Sequence, residues 1–504
     1  MFDIVEIYSR FKKSFGLRDG IFFISNIVLY GITRLINLDK FPIFSDEGIY
    51  IHWAKVAWHD ATWRFISLTD GKQPLQTWGT IPFLKLFPDN LLLGGRMFAV
   101  ATGLFALVGV FVLLYYLFGK RAAFTGMLLY IFTPYFLFYD RLALVDSGVN
   151  GFFIWILFFS ILLASTRRLD VSLFFGFFSG FGLLAKSSAQ IFVALSALAP
   201  VLFVEKNLKK FSRRLVNYMF LYGIGVVIAV LIYNVQRLSP FLHFVGEKNH
   251  TFVMTFSDFL KSPFEVFTRN ITLVPYYALS ESGYILGIFA LFGLILLYKK
   301  HTRLFFYFLM WIVFPYILIS FFSIVLFPRY IIFFGTLFMI LGAYWLSQIK
   351  KKNYLIIAVL AYALSVAYFD YTILFDYAHI PFPPIDRGQY IEGWPAGWGM
   401  TDIIDFVRQK SKKKPVILLA EGNFGMSGDV LDVFMRNNDN ISIRAYWPLE
   451  LKELQENQKD LKDHYIYIVL THKFDYPADW PMKLVKRYDK PGKESVTYLY
   501  ELTN

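Results

Sequence analysis

LLGGRMFAVATGLFALVGVFVLLYYLF, residues 92–118, carries a single charge, Arg96. As a helix it would reach about 40 Å, more than the roughly 30 Å of a bilayer's hydrocarbon core. A segment apolar on every face needs lipid, or the inside of a bundle in lipid, as its solvent. Ten more apolar runs flank it, near residues 21–38, 122–139, 147–165, 171–185, 189–204, 215–236, 283–298, 304–326, 329–349 and 353–375. With 56% hydrophobic residues and a mean hydropathy of +0.49, a soluble domain could not bury the apolar surface of this chain. The expected fold is mainly α, a polytopic transmembrane bundle of about eleven helices. The three shortest runs suggest tilted or recessed helices.

The formal charge of +13 raises the question of nucleic acid, and its distribution answers against it. Lys120/Arg121, Arg167/Arg168, the 206–214 cluster, Lys299/Lys300/Arg303 and Lys350/Lys351/Lys352 fall between apolar runs, where cytoplasmic loops meet anionic headgroups. No nucleic-acid-binding motif accompanies them. An N-terminal stretch with Arg10, Lys12, Lys13 and Arg18, followed by an apolar run without a small-residue cleavage site, reads as a retained first helix. All these clusters agree on one orientation, N-terminus in and C-terminus out, and on a multi-pass protein of the plasma membrane. The chain has no cysteine, which excludes disulfides, thiolate catalysis and Cys-ligated zinc.

The domain reading follows from that threading. Residues 1–379 form the membrane domain, with outer loops at 39–91 and 237–282; 380–399 is a Pro/Gly/Trp-rich connector; 400–504 is a small extracytoplasmic α/β domain. In the first loop, 46–60 and 73–87 read as amphipathic segments lying on the membrane surface, with Trp53, Trp58, Trp63 and Trp78 in the headgroup layer. In the tail, 415–422 and 464–472 read as strands, and 429–437 and 449–463 as helices.

The informative charges break the inside rule. Asp46-Glu47, Asp140-Arg141, Asp146, Lys186 and Arg329 sit at outer helix ends, where an ionisable group facing lipid costs about 2.5–3.5 kcal/mol. They therefore pair or line a polar cavity. Asp46 and Glu47 can be helix caps, or a carboxylate that deprotonates an acceptor hydroxyl. Lys186 and Arg329, next to Tyr330, can snorkel to headgroups, or hold a lipid phosphate as charge develops on it. Asp140, Arg141 and Asp146 can form a structural ion pair. His243, Glu247 and His250 have the spacing of one helix face and are weak candidates for a metal site. Trp394 and Trp398 in the connector suit either interfacial anchoring or stacking on sugar rings.

DE after the first run, GKQPLQTW and Arg96 at the second, RLALVDSG after the third, GLLAK after the fifth and PRY at the tenth together resemble the GT-C membrane glycosyltransferases. More narrowly the chain is similar to the glycosyltransferase 39 group, the dolichyl-phosphate-mannose protein mannosyltransferases, and to their relatives the bacterial lipid A aminoarabinose transferases. The resemblance spans residues 21–350. It implies a polyprenyl-phosphate sugar as donor, transfer on the non-cytoplasmic face to a protein, lipid or glycan, and no direct use of nucleotide sugar. Asp46 matches the family's first-loop acid, taken as base or metal ligand, and Glu47 its neighbour. Lys72 and Pro74 match a Lys-Pro element in which Gln73 replaces the more usual second proline. Arg141 and Asp146 match the turn between helices three and four, Lys186 the lysine after helix five, and Arg329 with Tyr330 the late Arg-Tyr pair. The tail lacks the β-trefoil of eukaryotic protein mannosyltransferases, which leaves the acceptor open.

The resulting expectation is an inverting integral-membrane hexosyl- or pentosyltransferase. Asp46, Glu47 and Asp146 are its candidate catalytic residues, and Lys186, Arg329, Tyr330, Arg141 and Lys72 would bind the donor phosphate. No cofactor is required, although relatives differ over a divalent metal ion. The partners are the lipid-linked sugar, membrane lipids and an acceptor, with no nucleic acid. The alternatives are a membrane transporter or lipid flippase, which would place charges near the midplane, and a non-catalytic membrane scaffold.

Overall fold

A computed structural model describes residues 15–436, 438–472 and 476–504. Arg10, Lys12 and Lys13 of the basic N-terminal stretch lie outside them, as does Asn437 at the end of one expected helix. Each apolar run falls on a helix or a broken pair of helices, from Leu17–Leu35 through Leu91–Phe118 and Asp146–Thr166 to Lys352–Phe375. The run at 122–139 is broken, Lys120–Phe132 giving way to Pro134–Tyr139, because Pro134 has no N–H to continue the ladder. Among the described residues six helices are long and apolar enough alone to cross a membrane, and seven spans result if one bent pair is a single crossing. That pair, Phe267–Ser282 and Tyr284–Lys300, turns by 106° at Gly283. Its first helix, Phe267–Ser282, is the last part of the outer loop expected over 237–282. The buried Asn270 amide of that helix donates to the Ser323 carbonyl at 2.7 Å.

Small residues let the helices approach. A Cβ on Gly176 would lie 2.5 Å from the carbonyl oxygen of Gly225, so Leu169–Ala185 and Leu208–Tyr233 meet backbone to backbone. In lipid, where apolar burial gives no advantage over the tails, such close van der Waals contact holds helices together.

The tail is a five-stranded sheet, β1 Val416–Glu421, β2 Ile441–Tyr446, β3 Tyr465–Leu470, β4 Met482–Asp489 and β5 Val496–Leu502, in the order β2-β1-β3-β5-β4. β1 pairs in parallel with β2 and β3, and β5 runs antiparallel to β3 and β4. The two strands read from sequence are β1 and β3, apolar up to Glu421 at the end of β1 because both faces are covered. Of the two expected helices, 429–437 shortens to Gly428–Val433 and 449–463 to Leu451–Gln458 with a 3-10 turn after it.

One expectation about the outer face is corrected. The helix Ser45–His59 is packed between the bundle and the tail, and Trp53, expected in a headgroup layer, is only 3% exposed. A Cβ on Gly48 would lie 2.6 Å from Val430 Cγ2, and Lys55 Nζ bonds Asp432 at 2.8 Å. The connector is packed into the fold, with Ile380, Phe382, Asp386, Tyr390, Ile391 and Ala396 buried. Phe44 bridges Ala396, and the Ser45 and Gly397 amides donate to Pro395 and Ile43 carbonyls at 3.0 and 2.8 Å. One core joins Ile43, Ile51, Leu84 and Ala143 to Ile404, Leu418 and Val469. The tail thus shares its core with the membrane part.

Candidate active site

Glu47 and Arg96 fix the position of the first outer helix. Arg96 grips the Glu47 carboxylate through Nε and Nη2, both at 2.8 Å, and donates to the Leu38 and Phe41 carbonyls at 2.8 and 2.9 Å. Glu47 also accepts from the Ala143 and Phe44 amides at 2.8 and 3.0 Å. Both side chains are fully buried. Arg96 thereby staples the turn after the first helix to the start of the next, and Asp46, one residue earlier than Glu47, is pointed the other way.

Asp46 faces a cavity of about 580 Å³. Asp46, Lys72, Asp146, Lys186, Arg329 and Tyr330 line it; Glu47 and Arg141 do not. Glu47 is corrected to a structural residue, every lone pair of its carboxylate being taken. Arg141 is likewise corrected: its guanidinium donates to the Thr33 and Arg34 carbonyls at 3.0 and 2.9 Å, closing the end of the first helix. Asp140 is buried in an ion pair, but with Arg34 at 3.2 Å and not with the Arg141 expected as its partner.

Within the cavity the charges alternate. Arg329 Nη2 donates to Asp46 Oδ2 at 3.0 Å, and Lys72 Nζ lies 3.8 Å from Asp46 Oδ1. Lys186 Nζ donates to Asp146 Oδ1 at 2.7 Å and sits 4.0 Å above the Tyr330 ring. Four cations, Lys72, Lys186, Lys248 and Arg329, face two carboxylates, Asp46 and Asp146, so the lining is net positive. Burial raises the Asp46 carboxyl, but Lys72, Arg329, Lys186 and Lys248 together outweigh it and hold the group below the ordinary aspartate range. Burial draws the Lys186 ammonium down, against the pull of Asp146.

The turn Pro328–Ile331 delivers Arg329, held where the Tyr135 hydroxyl donates to the Pro328 carbonyl. Arg329 is 6% exposed and lies within 5.4 Å of the Phe44, Phe327 and Tyr330 rings. Its Nη1 donates to the Tyr390 hydroxyl at 3.1 Å. Lys72 is presented by a turn that only glycine allows: Gly71 has φ +66° and a Cβ there would meet the Phe244 carbonyl oxygen at 2.4 Å. The same contact brings in Lys248, which bonds Asp70 at 2.7 Å.

Beyond the charged end the lining is apolar, with Ile191, Phe192, Leu318, Phe322, Leu326 and Phe333. Sequence reasoning missed Tyr50, Gln73, Lys248 and Tyr390. Lys248 is visible in the sequence only as one more cation in an outer loop, beside the weak metal candidates His243, Glu247 and His250. Those three do not form a metal site: among the described residues no group of three His, Cys, Asp or Glu side chains is placed to hold an ion. His243 Nδ1 instead contacts the Pro240 carbonyl at 2.9 Å. Tyr390 carried no signal beyond lying in a Trp/Pro-rich stretch.

Residues 72–233 match the model of the dolichyl-phosphate-mannose-protein mannosyltransferase family. Two solved structures of ArnT from Cupriavidus metallidurans share the fold, each with a TM-score of 0.60 over 95% of this chain and 97% of theirs. One is in the apo state, at 15% identity, and the other is bound to undecaprenyl phosphate, at 16%. No curated protein matches the sequence. The chain is an integral membrane protein with the fold of the GT-C glycosyltransferases, carrying the mannosyltransferase sequence pattern over 72–233.

Proposed function

We propose that this protein moves a sugar, a hexose or pentose unit, from a polyprenyl-phosphate donor to a hydroxyl-bearing acceptor, inverting the anomeric centre. The carrying observation is the cavity itself, which joins a net-positive end at Arg329, Lys186 and Lys72 to an apolar end at Ile191, Leu318, Phe322 and Leu326. Its ligand should be an amphiphile with an anionic head. The undecaprenyl phosphate in the related ArnT structure has that character.

In this reading Arg329 and Lys186 hold the donor phosphate. A phosphate between them compensates the cations that otherwise depress Asp46, so donor binding itself makes Asp46 a better base. Asp46 takes the proton of the acceptor hydroxyl while its oxygen attacks the anomeric carbon. The bond from that carbon to the phosphate oxygen breaks on the opposite side, and its electron pair leaves with the phosphate. Arg329 and Lys186 stabilise the charge as it grows there. Asp146 keeps Lys186 protonated and aimed. No step is given to a metal ion, since the groups nearest Asp46 are Arg329 and Lys72, which suit an anion.

The basic clusters lie at the helix ends away from the cavity. Asp146–Thr166 starts in the cavity and spans about 30 Å to reach Arg167 and Arg168. By the positive-inside rule the cavity and the tail then face the extracytoplasmic side. The test is release of polyprenyl phosphate from lipid-linked sugars by the purified protein. Asp46→Asn, which keeps the shape and removes the proton acceptor, should lower release by roughly 10²–10⁴-fold with donor binding nearly intact. No release by the wild-type chain from any such donor would overturn the proposal.

A further inference from the structure

We propose that Trp394, Trp447 and Phe424 form a docking platform for the sugar rings of a glycan acceptor, an inference that rests on the transferase reading. The three come from the connector, the loop after β2 and the loop after β1, and all stand at the C-terminal ends of the parallel strands. Open α/β sheets bind ligands at that edge. At 47%, 62% and 48% exposure, each ring leaves about half its surface open to a partner.

The platform is built rigidly. His472 sits between the two tryptophans, 5.0 Å from the Trp394 ring at 32° and 5.0 Å from the Trp447 ring at 64°. Behind it Glu421, 3.4 Å from His472 Nδ1, accepts from the Thr471 and His472 amides at 2.9 and 3.1 Å. The backbone of Trp394 is anchored by a buried lysine, Lys490, whose ammonium donates to the Gly393 and Trp394 carbonyls, both at 3.1 Å. Ring faces held in place before binding lose little entropy on binding.

The platform leads to the reacting centre. The Phe424 ring is 6.1 Å from Trp53, Lys72 lies 5.5 Å from the Trp53 ring centre, and Lys72 pairs with Asp46. A chain of sugars lying along the aromatic edge would bring one hydroxyl toward Asp46. The chemistry fits a pyranose, whose C–H face packs on an aromatic face while its hydroxyls meet polar groups at the ring edge, here His472 and the exposed Asn423. Exposed tryptophans can instead anchor in a headgroup layer. Against that, the Glu421–His472 pair lies directly behind these rings, and carrying ionisable groups toward hydrocarbon is unfavourable.

The full-length protein in nanodiscs separates these outcomes. Labelled protein is applied to an array of linear mannose, glucose, galactose and N-acetylhexosamine oligosaccharides, without donor, so the result does not depend on turnover. At least one series should bind. Trp394→Ala and Trp447→Ala should each weaken it about three- to tenfold, and Trp447→Phe should restore part of the loss. Undecaprenyl phosphate binding, measured on the same samples, should stay unchanged and reports separately on the donor site and on folding. Absence of binding to every series, or affinities unmoved by both alanine variants, would overturn the proposal. So would quenching by lipids spin-labelled near the headgroup that falls clearly in both the Trp394→Ala and the Trp447→Ala proteins, which would mark the two tryptophans as membrane anchors.

Discussion

Replacing Glu47 by Gln separates two roles that adjacent carboxylates invite. The Glu47 carboxylate receives four donors, Arg96 Nε and Nη2 and the Ala143 and Phe44 amides, all within 3.0 Å. A glutamine of the same shape keeps one oxygen for two of them and turns an NH₂ toward the other two. Two hydrogen bonds become donor–donor contacts, and the Arg96 guanidinium, fully buried, loses its counter-charge. Breaking one partner of such a pair costs about 3–5 kcal/mol. The detergent-solubilised Glu47→Gln protein should therefore denature at a midpoint lowered by roughly 5 °C or more. Whatever folded protein remains should turn over at a rate close to wild type. Unchanged stability combined with a turnover loss of about 10²-fold or more would instead place Glu47 in the catalytic group.

Three further outcomes follow. Gly48→Val would drive side-chain atoms into Val430, where a Cβ alone already comes within 2.6 Å; it should destabilise by about 1–3 kcal/mol and expose the tail to limited proteolysis before the helices. Burial lowers the Lys490 pKa to about 7, so the folded protein binds fewer protons than the unfolded chain between there and the ordinary lysine range; stability should rise with pH across that window, and Lys490→Met should flatten the rise in a pH series of denaturation midpoints. A fluorescent reporter that matures only in the cytoplasm should stay dark when fused after Asn504, and a bright signal would reverse the proposed orientation.

The membrane helices were legible because the apolar runs are long and the basic clusters regular. The site was legible in part, since Asp46, Asp146, Lys186 and Arg329 are charges at helix ends where lipid would make them costly, a signal that survives without any structure. That same signal cannot distinguish a charge that lines a cavity from one that staples a loop. Glu47 and Arg141 carry it as strongly as Asp46 does, yet their partners, Arg96 and the Thr33 and Arg34 carbonyls, are set by tertiary packing. Tyr390 was invisible for a related reason: the Pro/Trp-rich connector has linker-like composition, and only the fold shows it packed beneath Arg329. The edge strand β4 was missed because MKLVKRYD is largely exposed and charged, while β1 and β3, buried on both faces, announce themselves.

Recognition of a lipid by its phosphate is put to the test by equilibrium binding of undecaprenyl phosphate against undecaprenol to the purified protein. The phosphate-bearing lipid should bind at least about tenfold more tightly, since each charge-assisted hydrogen bond contributes about 1.5–3 kcal/mol, and Arg329→Ala and Lys186→Ala should each shrink that preference. Equal binding of the two lipids, or a preference that both variants leave intact, would contradict it.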